Sequence, residues 1–328
     1  MTENIISTDR QTDRQTYLDI AKGIGIILVV IGHCVPDASS PAGISVPAMK
    51  ILHEIIYSFH MPLFFFISGF LTFKRDRQPK SRISLIAKRA KRLLIPYFFV
   101  GLAYAPVKLL LSEFANKPYD IHNLWQIFLG VNPDGELWFL YALFAISLIA
   151  IILNEKASKI TLAITFVLAL TIPVMPDITR HLFYFFLGMY MRAEFPKYFE
   201  QMKLQIVCLY GIIFVIINAA AIIIGNNPAF HVFTAVSGTF LCIRFSHWIS
   251  SKVIAGTGIL AALGLFSMDV YILSDIIKIP FRIIFWNKLH LYIGSFLICT
   301  LASIVLSYVI SKYIIRKNKW LKKLVLGA

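Results

Sequence analysis

Long apolar runs, broken by short polar and basic stretches, set the pattern of this chain. The runs fall at about 18–35, 53–73, 93–111, 137–153, 160–175, 181–191, 204–224, 230–249, 259–277 and 290–315. Most approach the roughly 20 residues that a helix needs to cross a bilayer. The pattern predicts an all-α fold, a polytopic inner-membrane helical bundle of about ten transmembrane helices. The run at 181–191 is short and reads as tilted or only partly embedded, and the amphipathic stretch IHNLWQIFLG at 121–130 reads as interfacial or re-entrant. Residues 1–16 read as a polar cytoplasmic tail and 17–328 as one transmembrane domain. The first run is not a cleavable signal peptide, because no small-residue cleavage site follows it and further spans come at once.

Composition narrows the alternatives. Of 328 residues, 58% are hydrophobic and 15% charged, whereas a soluble domain sits nearer half apolar and a quarter charged. One aqueous core could not bury that excess. Aromatic residues at 14% argue against disorder. Unbroken apolar runs argue against an outer-membrane barrel, whose strands alternate.

The net charge of +15 changes the picture further. In a soluble chain it would suggest nucleic acid. Here most Lys and Arg fall in short segments between the runs, so no nucleic-acid partner is expected. The richest clusters lie at Lys74–Arg92 and Lys312–Lys323. Placing both on the inner side gives an even number of spans with both termini cytoplasmic. The chain is therefore expected to be a multi-pass protein of the cell inner (plasma) membrane, in contact with membrane lipid. Its four cysteines, Cys34, Cys208, Cys242 and Cys299, are widely spaced. They show neither metal-ligand spacing nor a disulfide framework, and they read as packed thiols.

Ionisable residues inside spans are costly and suggest function. The first span reads TYLDIAKGIGIILVVIGHC. Lys22 and His33 share one helical face, roughly 16 Å apart along the axis. Asp19, three residues before Lys22, can pair with it. Gly23, Gly25 and Gly32 permit close approach by a neighbour. The bland reading is a snorkelling lysine and a hydrogen-bonded packing histidine. In the second span, Pro62 breaks the backbone ladder and Ser68-Gly69 forms a weak point. His53 and His60 read as interfacial and solvated.

The basic stretch KRAKRLLIP at 88–96 places Arg89 and Arg92 on one face. Arginine suits phosphate oxygens, although the cluster also reads as a topogenic signal that attracts anionic lipid. In LGLFSMDVYILSDIIK, residues Ser267, Tyr271, Ser274 and Lys278 form a polar stripe. Asp275 can be neutralised by Lys278. Asp269 has no sequence-local partner, and is protonated, in a polar cavity, or paired across helices. Asp134 can cap the helix that follows Glu136, and Trp138 and Tyr141 fit an interfacial aromatic belt. Walker, dinucleotide-glycine, HExxH and GxSxG motifs are missing.

Taken in order, several motifs resemble one family. They are Lys22-x10-His33, MPLFFFISGFL at 61–71, Arg89-x-x-Arg92 followed by Leu-Ile-Pro-Tyr, LWFL at 137–140, FFLGM at 185–189 and LGLFSMDVYIL at 263–273. The chain resembles the acyltransferase-3 family of integral-membrane O-acyltransferases, and within it the fucose 4-O-acetylase-like group. The resemblance implies an O-acetyltransferase that uses acetyl-CoA as donor substrate, with no bound cofactor and no metal. Its acceptor would be a carbohydrate, free or lipid-linked, of an O-antigen, capsule or exopolysaccharide.

On this reading Lys22, Arg89 and Arg92 form a basic mouth for the donor phosphates, and His33 is the catalytic general base. Tyr271, Ser68 and Trp138 are candidate oxyanion donors. Asp19 and Ser267 are candidate supporting residues. Asp37, Glu54 and Glu136 are the carboxylates that could orient His33. Two departures stand out: the first-helix cation is Lys where Arg is commoner, and Ser274-Asp275 stand where many members carry His. The length matches the family's membrane part alone, so the bundle is expected to complete the reaction or to pass acyl groups to a partner. Competing readings are a same-fold enzyme with another donor such as succinyl-CoA, a secondary transporter, and a non-catalytic component of a glycan export machine.

Overall fold

A computed structural model of the chain describes residues 16–35, 47–72, 81–111, 121–153, 158–171, 176–252 and 256–328. All regular structure among them is helical. The first half contains α1 (Thr16–Cys34), α2 (Pro47–Tyr57), α3 (His60–Thr72), α4 (Arg82–Leu110), α5 (Trp138–Ile152), α6 (Lys159–Thr171) and α7 (Pro176–Glu194). The second half contains the short α8 (Tyr198–Gln201), α9 (Leu204–Ile224), α10 (Pro228–Ser250), α11 (Thr257–Leu265), α12 (Ser267–Arg282), α13 (Tyr292–Ile310) and α14 (Lys319–Leu326). Short π-helical segments, Ile283–Lys288 and Ser311–Ile315, extend α12 and α13.

Seven helices among the described residues are long and apolar enough to cross a membrane, or eight if the bent pair α11–α12 counts as one span. The sequence pattern suggested about ten. Two of its runs account for the difference. The run at 160–175 becomes α6, 13 residues long and short for a span. The run at 181–191 lies inside α7, which carries Asp177, Arg180, Arg192 and Glu194 toward its ends. Leu182, Phe183, Phe185 and Met189 of α7 are buried in the protein. Their apolarity therefore serves the core rather than lipid contact.

The apolar run at 259–277 is also not one straight helix. It bends by 80° between α11 and α12. The first arm is wholly apolar and the second carries the polar stripe that begins at Ser267, but no Pro marks the break between them.

Glycines set the two tightest helix crossings. A Cβ on Gly264 would lie 1.8 Å from the Asp19 carbonyl oxygen, and one on Gly23 would lie 2.0 Å from that of Leu260. Helices α1 and α11 therefore meet backbone to backbone. The same holds for α3 and α7, where a Cβ on Gly69 would meet the Phe185 carbonyl at 1.9 Å and one on Gly188 the Phe66 carbonyl at 2.1 Å. Small residues at such positions allow the close contacts that hold helices together in a bilayer, where lipid removes the hydrophobic drive. The Ser68-Gly69 point read as a kink is thus a packing notch. Pro62 lies in the first turn of α3, where its missing N–H costs nothing. The break falls earlier, at Ser58-Phe59, between α2 and α3.

Outside the long helices, residues Ile121–Leu129 form a 3-10 helix with Trp125 and Phe128 exposed. The Tyr97 hydroxyl ties it down by donating to the Ile127 carbonyl at 2.9 Å. Asp134 caps the turn Gly135–Leu137, its Oδ1 accepting from the Glu136 N–H at 3.0 Å. This turn fixes Glu136 at the head of α5.

Candidate active site

A cavity of about 340 Å³ lies between α1, α3, α4, α5 and α12. Lys22, Arg89 and Arg92 line one end, together with Ser68 and Thr72. Apolar walls follow, including Ile26, Val29, Phe64, Leu140 and Leu143. Met61, Phe139 and Tyr271 line the other end. The helical period explains the α1 contribution, because Lys22, Ile26 and Val29 fall on one face at steps of four and three. His33 continues that face by four more residues. It stands just beyond the Tyr271 end rather than on the cavity wall.

At the cationic end each basic group is held by an oxygen. Lys22 Nζ pairs with Asp19 Oδ1 at 2.7 Å. Arg89 Nη2 donates to Thr72 Oγ1 at 2.7 Å. Arg92 Nη1 donates to the Leu326 carbonyl at 2.8 Å. The last bond brings in α14, whose apolar face packs on α4 with Val325 and Leu326 buried. Among the lining residues there is no acid.

The other end is organised around one carboxylate. Glu136 Oε1 accepts from His33 Nδ1 at 3.1 Å and from Lys278 Nζ. Lys278 also pairs with Asp275 at 2.5 Å, so two carboxylates share one ammonium. The Tyr271 hydroxyl donates to the Glu136 backbone carbonyl. It thereby joins the cavity wall to the residue that holds the imidazole. The Tyr57 hydroxyl lies 3.0 Å from the same His33 Nδ1. A proton on Nδ1 leaves the lone pair on Nε2, which is the tautomer a general base needs. Glu136 Oε2 is buried with no hydrogen-bond partner among the described residues.

Of the expected site residues, Lys22, Ser68, Arg89, Arg92, Ser267 and Tyr271 line the cavity. Asp19 sits behind Lys22, and Glu136 behind His33. Trp138 faces elsewhere: its ring packs 6.2 Å from Phe65 and 5.2 Å from His181. Among the carboxylates considered for His33, Glu54 pairs with Lys50 at 3.9 Å near the surface. Asp37 lies outside the described residues. Asp269 is paired across helices, with Arg316 Nε at 2.7 Å and with Ser311.

Several features were not legible in advance. Lys278 read as the end of a polar stripe and a partner of Asp275, and it is also buried at the centre of the Glu136 cluster. Its i−3 spacing from Asp275 was visible, but the contact with Glu136 spans 142 residues. His60 read as solvated and is buried, its Nδ1 2.8 Å from the Ile56 carbonyl. His53 stacks on Tyr57 with centroids 3.8 Å apart. Cys34 and Cys299, far apart in sequence, bring their Sγ atoms to 3.2 Å.

These elements define a helical membrane bundle whose inner cavity joins a cationic end to a His-Glu-Lys cluster. The family model described as an acyltransferase domain matches residues 15–312, and the chain belongs to the acyltransferase-3 family. Among curated proteins it is similar to the nodulation protein NolL of Mesorhizobium japonicum, 29% identical over 166 residues. That match covers 50% of this chain and 42% of NolL, so the chain spans less than half the length of that relative. No solved structure matches it.

Proposed function

We propose that the chain is a membrane O-acyltransferase that carries an acetyl group from acetyl-CoA to a hydroxyl of a cell-surface carbohydrate. The observation that carries this reading is the single cavity with cations at one end and the His33–Glu136 pair beside the other. Coenzyme A has the same polarity: phosphates at one end, a long uncharged arm, and the thioester at its tip. Lys22, Arg89 and Arg92 would hold the pyrophosphate, with the arginine forks suited to its oxygens. The arm would lie along the apolar walls and bring the thioester toward Tyr271.

The chemistry follows from the dyad. Glu136 keeps the His33 proton on Nδ1, and Nε2 takes the proton of the acceptor hydroxyl as its oxygen attacks the thioester carbonyl. The tetrahedral oxyanion collapses by expelling the thiolate, which recovers the proton from the imidazolium. No proton is gained or lost overall. Tyr271 already donates to the Glu136 carbonyl, and Trp138 packs away from the cavity. Ser68 lines the cationic end of the cavity, away from the thioester carbonyl, so of the three only Tyr271 stands at the end where the oxyanion forms.

In this reading the mouth faces the cytoplasmic acetyl-CoA pool, and the protein sits in the inner membrane. The acceptor is an O-antigen, capsule or exopolysaccharide unit. The test compares glycan O-acetyl content by NMR in deletion cells carrying wild type or His33→Ala at matched membrane expression. The expected result is an acetyl signal lost on deletion and restored by wild type alone. Equal restoration by both would remove His33 as the base. No change on deletion would overturn the acetyl assignment and favour another acyl group or a transport role.

A further inference from the structure

The donor reading accounts for three cations but not for a fourth beside them. Arg316 follows the π-helical end of α13 and lies beyond the residues matched by the family model. Its Nε donates to Asp269 Oδ2 at 2.7 Å, and its guanidinium carbon sits 4.0 Å above the Phe266 ring. Phe266 immediately precedes Ser267 and Met268, which line the cavity. Arg92, on the opposite wall, is near enough to interact electrostatically with both Asp269 and Arg316. The Arg316 side chain stays 34% exposed. It is thus fixed in place by an acid and an aromatic face without being sealed in. A guanidinium has five N–H donors, and the bond to Asp269 uses one.

We infer that Arg316 is a donor-binding residue, and that its guanidinium takes the 3′-phosphate of coenzyme A. The inference rests on the acetyl-CoA reading above. Its geometry follows from the order of groups in the donor. The pyrophosphate is joined directly to the pantetheine arm, so it must sit where the cavity opens, at Lys22, Arg89 and Arg92. The 3′-phosphate hangs from the ribose beyond the pyrophosphate. It needs a further cation beside that set, and Arg316, which interacts with Arg92, flanks the cavity without lining it. The Phe266 ring and Asp269 hold the fork in one orientation, which suits bidentate contact with a phosphate monoester.

A structural alternative has Arg316 serving only to neutralise buried Asp269. Two comparisons separate the roles in the full-length protein in nanodiscs. The first is the affinity of wild type and Arg316→Gln for acetyl-CoA and for 3′-dephospho-acetyl-CoA. The second is the double variant Asp269→Asn/Arg316→Gln, which removes the buried acid together with its partner. The expected result is that Arg316→Gln weakens acetyl-CoA binding about tenfold, the worth of one charge-assisted hydrogen bond. The dephospho compound is expected to bind wild type and variant alike, and the double variant to stay as weak as the single one.

Equal weakening of both thioesters, or recovery in the double variant, would overturn the assignment and leave the donor reading standing. Failure of wild type to bind either thioester would overturn the donor reading and this inference together.

Discussion

Helix α1 touches two polar regions three turns apart, and they are built on opposite plans. At the Lys22 end, no acid lines the cavity wall, and Arg92 is positioned by a neutral carbonyl oxygen. At the His33 end, one ammonium is shared by Glu136 and Asp275, and Asp134 is buried close by. The first plan leaves positive charge available to an anion that arrives from outside. The second is closed: its charges satisfy one another, and its output is the orientation of one imidazole ring. A region built to bind a charged ligand should tolerate the loss of a charge and pay in affinity. A region built to orient a ring should lose its shape or its rate.

The largest expected effect tests that contrast directly. Lys278→Met leaves Glu136 and Asp275 buried without their shared cation. Removing one partner of a buried ion pair costs about 3–5 kcal/mol. Thermal unfolding in detergent should show a large drop, and activity should vanish with it. Arg92→Gln should leave the unfolding temperature nearly unchanged, because the carbonyl it engages can bond a glutamine amide. A stable Lys278→Met protein would mean that the His33 end is not the closed network described above.

Next in size is Glu136→Gln. The side chain keeps its shape, but its charge and its hold on the Nδ1 proton are lost. The turnover number should fall about a hundredfold or more, the usual weight of positioned acid–base catalysis. The donor KM should stay close to wild type, since Glu136 lies outside the cavity. Arg89→Gln and Arg92→Gln should do the reverse, each raising the donor KM about tenfold with kcat little changed. Added salt should raise the wild-type donor KM only modestly, because these half-buried charges are screened less than exposed ones. Steady-state kinetics on reconstituted protein with varied acetyl-CoA would distinguish the two patterns.

How much of this contrast could be read in the sequence depends on distance along the chain. Lys22 and His33 on one face follow from helical periodicity, and the Asp19–Lys22 and Asp275–Lys278 pairs follow from i,i+3 spacing. Those parts of both regions were legible. Glu136 was only one of three carboxylates considered, because its contacts with His33 and Lys278 join separate helices. Lys278 was legible as the end of the α12 polar stripe and as a partner of Asp275, but nothing local pointed to Glu136, 142 residues away. The basic C-terminal segment read as a topology signal. Its carbonyl contact with Arg92 depends on α14 folding back onto α4, which no local pattern encodes. The bend at Phe266, which lets α11 cross α1 while α12 lines the cavity, was hidden for the same reason.

The smallest expected effect comes from tying the His33 end of α1 to its neighbour without touching any charge. Cys34 follows His33 directly, and its Sγ lies 3.2 Å from that of Cys299 on α13. A disulfide needs the sulfurs about 1 Å closer, which a small side-chain shift supplies. Treating membranes with a mild oxidant should therefore join these two residues, while buried Cys242 and exposed Cys208 remain free thiols. Mass spectrometry after alkylation would identify the linked peptides, and Cys299→Ser should abolish them. The cavity mouth is three turns away and shares no atom with this contact, so donor KM should not move. Any loss should fall on kcat, through the slight rotation imposed on His33, and reduction should reverse it. A change in donor KM instead would mean that the two ends of α1 are mechanically coupled, and that the separation of a binding end from a chemical end is too simple.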